Sequence, residues 1–256
     1  MERISREVLL DSMRMICPSD LPEDEPKKPS QFPCKRCGGT GWLYFRDENG
    51  LDKACRCPDC KRARDLHRWL RTSGISQENY EQYTLESFKT DSLTALHMKQ
   101  TAMNFLSDPH AKGIGFFGKP GIGKTHLCIA VCQAMGKEHH YWQYRREIQR
   151  LKAVMYKNLD RYDEMIANVS KMPWLYIDDL FKGAFDKDGR LASQDQQLMF
   201  DIINTRYINR MNTIVSSEYP LGKILEADEA TGSRLAEMLK PYVFTVNEAE
   251  NRRLKA

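Results

Sequence analysis

The segment GIGFFGKPGIGKTH (113–126), followed by LCIAVCQAM (127–135), carries the strongest signal in the chain. A short apolar run precedes a glycine-rich turn, and an apolar helical pattern follows it. From Gly118 to Thr125 the order G-x-x-x-x-G-K-T fits the phosphate-binding loop without a mismatch, between the strand and the helix that such a loop requires. The residue types follow from the task. Glycines let the backbone approach phosphate oxygens with its N–H groups turned inward, and the helix places its positive end at the same point. The spacing predicts that Lys124 reaches the β- and γ-phosphates of ATP and that the Thr125 hydroxyl ligates Mg²⁺. Gly118, Pro120, Gly121, Ile122, Gly123 and His126 complete the predicted nucleotide-binding set.

A loop of this kind needs a carboxylate at the end of a neighbouring apolar strand. WLYIDD (174–179) supplies it about fifty residues downstream. Asp178 is the second Mg²⁺ ligand, direct or through water. Asp179 stands where the water-positioning residue is usually Glu. Its side chain is one methylene shorter, so hydrolysis is expected to be slow. The strand TIVSS (213–217) ends in Ser216-Ser217-Glu218, where a polar tip can sense the γ-phosphate or orient water. Gly232-Ser233-Arg234 reads as the opening of a helix, and Arg234 as a candidate arginine finger for a neighbouring subunit.

Around these motifs the chain alternates short apolar runs with helical patterns. GIGFF (113–117), HYWQY (140–144), WLYID (174–178), TIVSS and YVFTV (242–246) read as five strands. HLCIAVCQAM, REIQRLKAVMYK, DQQLMFDIINTRYINR and SRLAEMLK read as helices. Nearly unbroken apolar strands alternating with helices predict an α/β fold, a five-stranded parallel sheet with helices on both faces. A further helix is predicted over 91–107, with Asp91 or Ser92 as its cap and Leu93, Leu96, Ala102, Met103 and Leu106 as its apolar positions. The stretch 75–90 shows no clear period and reads as a connector.

The chain has 256 residues, 41% hydrophobic and 29% charged, enough for one large domain and a small module. No apolar run approaches the ~18 residues of a membrane span, and the first twenty residues lack a signal-peptide core, so a cytosolic protein with no membrane partner is expected. The net charge of +4 permits polyanion binding without arguing for it. Residues 2–16 read as a short amphipathic helix, packed on its own domain or on a partner. Five of the eleven prolines fall between Pro18 and Pro33 and predict an extended linker.

Five of the eight cysteines lie within residues 34–60. Cys34-x2-Cys37, nineteen residues, then Cys57-x2-Cys60 matches the two-knuckle spacing of a structural Zn²⁺ site. Cys55 is a fifth candidate that could replace Cys57 or Cys60.

Taken in order, GKPGIGKTH, LYIDDLFKG, IINTRY, IVSSEY, DEATGSRLAEM and the terminal NRRL resemble the motifs of the DnaC/DnaI-like replicative helicase loaders, in the version carried by phages and prophages. CKRCGGTGWLYF with ACRC, and SGISQENYEQYTLESF, are also similar to that group. The resemblance covers roughly residues 30–256. It implies an AAA+ core without the usual C-terminal lid, at 76–256, and an N-terminal module at 1–75, holding the zinc site (34–60), that grips the hexameric helicase. It further implies Walker A at Lys124 and Thr125, Walker B at Asp178 and Asp179, sensor 1 at Ser217, an arginine finger at Arg234 and a sensor 2 arginine at Arg253. Two positions depart from the cellular pattern: Met238 stands where DnaC has an arginine, and Ser217 where asparagine is common.

The function implied is ATP-dependent loading of a replicative helicase onto single-stranded DNA, by a slow ATPase that self-assembles through AAA+ interfaces when ATP is bound. The alternative is a transposition-helper ATPase of the IstB type, which shares nearly the whole core. A small-molecule or nucleotide kinase would need an acceptor pocket and a lid, and no lid segment is visible. A non-hydrolysing DNA-binding module is kept open by Asp179. The basic stretches 61–72 (with Trp69) and 145–152 (with Tyr144), and Arg206 and Arg210 (with Tyr207), are candidate DNA contacts, pairing cations with stacking rings.

Overall fold

The structure, a computed structural model, describes residues 34–38, 40–47, 49–60 and 75–246. The expected helix at 2–16, the proline-rich arm, the basic stretch 61–72 with Trp69, and Arg253 lie outside the described residues. The chain divides into two compact units, Met1–Arg68 and Trp69–Ala256.

In the first unit, β1 (Trp42–Arg46) and β2 (Asp52–Arg56) form an antiparallel hairpin, with Trp42 opposite Arg56 and Arg46 opposite Asp52. The turn is closed by Asp47, whose carboxylate accepts from the Asn49 and Leu51 amides, and by Gly50 at φ 76°. Asx chemistry followed by a left-handed glycine is what a tight reversal requires.

The second unit holds a five-stranded sheet: β3 (Gly113–Gly118), β4 (His140–Gln143), β5 (Trp174–Asp178), β6 (Asn212–Ser217) and β7 (Val243–Val246). Its order is β4-β5-β6-β3-β7 and every pairing is parallel. β3 and β5 are buried along their whole length, which explains their unbroken apolar runs. Eight helices belong to the described part of this unit: α1 (Gln77–Gln82), α2 (Leu93–Ser107), α3 (Lys124–Met135), α4 (Tyr144–Met155), α5 (Leu159–Ser170), α6 (Ser193–Ile208), α7 (Leu221–Ala227) and α8 (Glu229–Leu239). Phe117, Leu175, Ile177 and Val215 share one core with Ile148 of α4, Leu198 and Ile202 of α6 and Leu235 of α8. α2 and α3 pack on each other and on β3.

Several expectations are corrected. α2 is capped by Ser92, whose hydroxyl accepts from the Ala95 amide at 3.1 Å, but its buried face is Ala95, Met98, Ala102 and Phe105. Leu93, Leu96 and Met103 are exposed, because Phe105 packs edge-on against Trp174 and Tyr242 and fixes the helix rotation. The connector at 75–90 contains α1. α8 begins at Glu229, capped by the Asp228 carboxylate on the Thr231 amide, so Arg234 sits in mid-helix and does not open it. Arg206 is completely buried and cannot touch DNA. Its guanidinium donates to the carbonyls of Val169, Ser170, Met172 and Asn212 and to the Thr213 hydroxyl, tying the end of α5 to the start of β6. Burial pulls its pKa down from the ordinary arginine value.

Candidate functional site

The loop Gly118–Thr125 leaves β3 at the carboxyl end of the sheet, where the chain crosses to the distant β4 and a ligand crevice is expected in open α/β sheets. Gly118, Gly121 and Gly123 hold φ values of 135°, 84° and 99°. Such angles strain any residue with a Cβ. At Gly118 a Cβ would also collide with the Val246 carbonyl of β7. Gly123 precedes α3 without a side-chain cap, so the amides of the first helical turn are left facing the loop. The Ile122 side chain points into the core, so only its backbone belongs to the loop's inner surface.

A cavity of about 500 Å³ opens over this loop. Pro120, Gly121, Gly123, Lys124, Thr125 and His126 form one side, Asp179, Lys182 and Glu218 another, and residues from Tyr83 to Asp91 a third. Lys124 is buried, its ammonium donating to the Gly118 and Lys119 carbonyls at 2.7 and 2.8 Å. Burial pulls its pKa down, against the opposing pull of Asp179, Cys128 and Glu218. The His126 ring lies within hydrogen-bond distance of the Thr84 carbonyl, 2.9 Å, and of the Ser87 hydroxyl, 3.2 Å, with Tyr83 tilted against it and Phe88 perpendicular to it. It joins the loop to the 83–91 wall.

Asp178 lies at the tip of β5, almost fully buried. Four hydroxyls donate to its carboxylate: Thr125 at 3.1 Å, Tyr176 at 2.5 Å and Ser216 at 2.6 Å on Oδ1, and Tyr141 at 2.7 Å on Oδ2. The two phenols stay protonated, because burial first and the Asp178 charge second push their pKa values up. Thr125 and Asp178 thus present hard oxygen donors side by side, the chemistry a magnesium ion selects. Asp179 sits at φ 55°, with its amide donating to Ser216 Oγ at 3.0 Å and its carboxylate accepting from Lys182 at 2.6 Å.

Ser217 is not in this cavity. Its hydroxyl is fully buried and donates to the Leu180 carbonyl at 2.8 Å. At the tip of β6 it is Ser216 that reaches Asp178, and Glu218 that lines the cavity. Arg234 lies outside the cavity wall. It donates to Asn204 and to the Ala230 carbonyl and stacks over Phe200 and Tyr207.

The residues missed by sequence reasoning are Tyr141, Tyr176 and Lys182; Ser216 and Glu218 were read only as members of the polar tip of β6, with Ser217 singled out. A signal existed for the tyrosines. Tyr176 is two positions before Asp178, hence on the same face of its strand, and Tyr141 is its partner across the β4–β5 ladder. Using that signal requires knowing that β4 and β5 are neighbours.

In the first unit the thiols of Cys34, Cys37, Cys57 and Cys60 all lie within 4.8 Å of one another. Sulfurs bound to one zinc at about 2.3 Å lie about 3.8 Å apart; Cys34 and Cys57 are separated by 3.7 Å, Cys37 and Cys60 by 3.2 Å. Cys55 is exposed on β2 opposite Leu43, outside the cluster.

Against protein families, residues 59–244 match the model for IstB-like ATP binding protein. The chain belongs to this family. Among solved structures it is similar to the crystal structure of the DnaC helicase loader, with a TM-score of 0.54 and 26% identity, over 66% of this chain and 100% of that one. The crystal structure of DnaI has the same fold, with a TM-score of 0.50 at 16% identity over 70% of this chain and 94% of that one. Among curated proteins of Bacillus subtilis (strain 168), it is 28% identical to the phage-like element PBSX protein XkdC over 86% of this chain and 84% of that protein. It is 29% identical to the uncharacterized protein YqaM over 73% of this chain, spanning 62% of that protein's length. The fold is that of AAA+ P-loop proteins, and the resemblance to DnaC/DnaI-like proteins of the phage type stands. No described helix is long and apolar enough to cross a membrane.

Proposed function

We propose that this protein is an AAA+ ATPase that loads a replicative hexameric DNA helicase onto single-stranded DNA in replication initiation. The observation that carries the reading is that Lys124 and Thr125 line one cavity, with Asp178 hydrogen-bonded to Thr125 behind it, in a core similar to the whole of the DnaC helicase loader chain. ATP would lie on the loop, with Lys124 on its β- and γ-phosphates and the amides of the first turn of α3 on their oxygens. Mg²⁺, held through Thr125 and Asp178, would neutralise charge on the transferring phosphate. Asp179 would orient the attacking water and take its proton as the bond between the γ-phosphorus and its bridging oxygen breaks. Arg234 would act on a neighbouring subunit's nucleotide when ATP-bound subunits assemble, and Arg253 on its own. Zn²⁺ on Cys34, Cys37, Cys57 and Cys60 would hold the hairpin module together as a grip on the helicase. The site of action would be the cytoplasm.

The matched family supports a second reading, a transposition helper of the IstB type. Co-purification separates the two. The full chain, with ATP and with ADP, is offered a replicative helicase and, separately, a transposase. ATP-dependent retention of the helicase is expected, together with ATPase activity that rises with single-stranded DNA. Retention of the transposase alone would replace the first reading by the second.

A further inference from the structure

Lys182 has no role in the motifs read above, yet it faces the same cavity as Lys124. It closes the turn that follows β5. Two non-glycine residues there, Asp179 at φ 55° and Phe181 at φ 62°, adopt the left-handed conformation. Such backbone costs of order 1–3 kcal/mol per residue and persists only where surrounding contacts enforce it. The contacts are present. Leu180 and Phe181 are completely buried, Phe181 packs on Tyr144 and Phe185, and the Leu180 amide donates to the Ser216 carbonyl at 2.8 Å. The turn is therefore rigid, and it sends Asp179 and Lys182 into the cavity together.

The Lys182 ammonium lies 2.6 Å from Asp179 Oδ2 and 3.9 Å from Glu218 Oε2, and its side chain is 39% exposed. An ordinary turn ion pair would explain the first distance. It does not explain why the cation lies between two carboxylates on the wall that faces the phosphate loop. Asp179 and Glu218, left alone, would repel the doubly charged end of a triphosphate. Lys124 reaches the Gly118 and Lys119 carbonyls on the loop side, so the opposite wall needs a cation of its own. A lysine suits the position, because its ammonium is a point charge on a flexible stem that can change partners.

We infer that Lys182 is a second phosphate-binding residue, whose ammonium moves from Asp179 to the terminal phosphate of a bound nucleoside triphosphate and so lets the site tell a triphosphate from a diphosphate. The same movement frees the Asp179 carboxylate for water. This rests on the ATP-binding reading of the cavity.

The test is equilibrium binding of fluorescent ATP and fluorescent ADP to the full chain, comparing wild type, Lys182→Gln and Lys182→Arg. Wild type should prefer ATP. Lys182→Gln should weaken ATP binding by about tenfold or more, the factor for losing one charge-assisted hydrogen bond, and ADP binding by less than about twofold. Lys182→Arg should keep most of the preference, which a merely structural loss would not explain. Should Lys182→Gln fail to fold, Asp179→Asn serves instead: it removes the ion pair, leaves the ammonium, and should retain or increase the preference for ATP. Equal losses for both nucleotides, no loss for either, or a wild type indifferent to the terminal phosphate would overturn the inference while leaving ATP binding intact. A wild type that binds neither nucleotide would overturn the ATPase reading as well.

Discussion

Lys124 and Arg206 are two buried cations with opposite uses. Lys124 reaches carbonyls of a loop whose amides face a cavity, and its burial already disfavours the charged form. An anion at the loop would restore that balance. Lys124→Ala should therefore abolish binding in a fluorescent-ATP titration, and unchanged affinity would end the phosphate-loop reading. Arg206 faces no cavity. It is satisfied by backbone carbonyls and one hydroxyl, and removing it strands several buried acceptors. Arg206→Met should lower stability in urea unfolding by on the order of 3 kcal/mol, with little change in nucleotide affinity once folded. Arg210, four positions on and exposed, should tolerate the same change within about 0.5 kcal/mol. Nothing local separates these two arginines in the sequence. Their difference appears only when α5 and β6 close around one of them.

Among the elements, the five strands of the parallel sheet were the most legible, because sheet strands covered on both faces must be continuously apolar, whereas the exposed hairpin β1–β2 was not read. α5 had a readable stripe in Tyr162, Met165, Ile166 and Val169, with Asn158 as its cap, but a polar first turn hides it. α7 is seven residues long with no side-chain cap, so nothing in its own sequence announces it. Site residues followed the same logic. Lys124, Thr125 and Asp178 belong to contiguous motifs and could be found by spacing. Which of Ser216, Ser217 and Glu218 faces the site turns on which face of β6 points at Asp178, which depends on register with β5. The cysteine knuckles were legible as a pair, and the choice among Cys55, Cys57 and Cys60 was not, since it depends on where β2 ends: Cys55 lies within the strand, and Cys57 and Cys60 follow it. The geometry now makes that choice testable. Metal analysis should give about one zinc per chain in wild type and in Cys55→Ser, and less in Cys57→Ser. Equal zinc in both variants would remove Cys57 from the site.

For the molecule as a whole, the proposed role of Arg234 is the one that depends on more than one copy. Its guanidinium is already braced by Asn204, Phe200 and Tyr207 on α6, outside the cavity of its own chain. Bracing of this kind reduces the entropy lost when a cation is placed on a neighbour's phosphate. Arg234→Ala should slow steady-state ATP hydrolysis by about tenfold or more while a single subunit still binds ATP, a smaller loss than the ~10³–10⁵ of arginine fingers elsewhere, given the short Asp179. Mixing Arg234→Ala with Asp178→Ala subunits should give activity unlike either alone. Loss of ATP affinity in parallel with rate would assign Arg234 to its own subunit instead. The pairing of β3 bears on how such a molecule is made. Both neighbours of the phosphate-loop strand, β6 and β7, lie about a hundred residues or more further along the chain. During synthesis at about 5–20 residues per second, β3 waits on the order of ten seconds with two open hydrogen-bonding edges. Among the described elements, α2 and α3, its neighbours along the chain, pack on it and can cover it in that interval. Nascent chains are thus at their most aggregation-prone between the emergence of Gly118 and that of Val246, and the nucleotide site is among the last parts of the sheet to be completed.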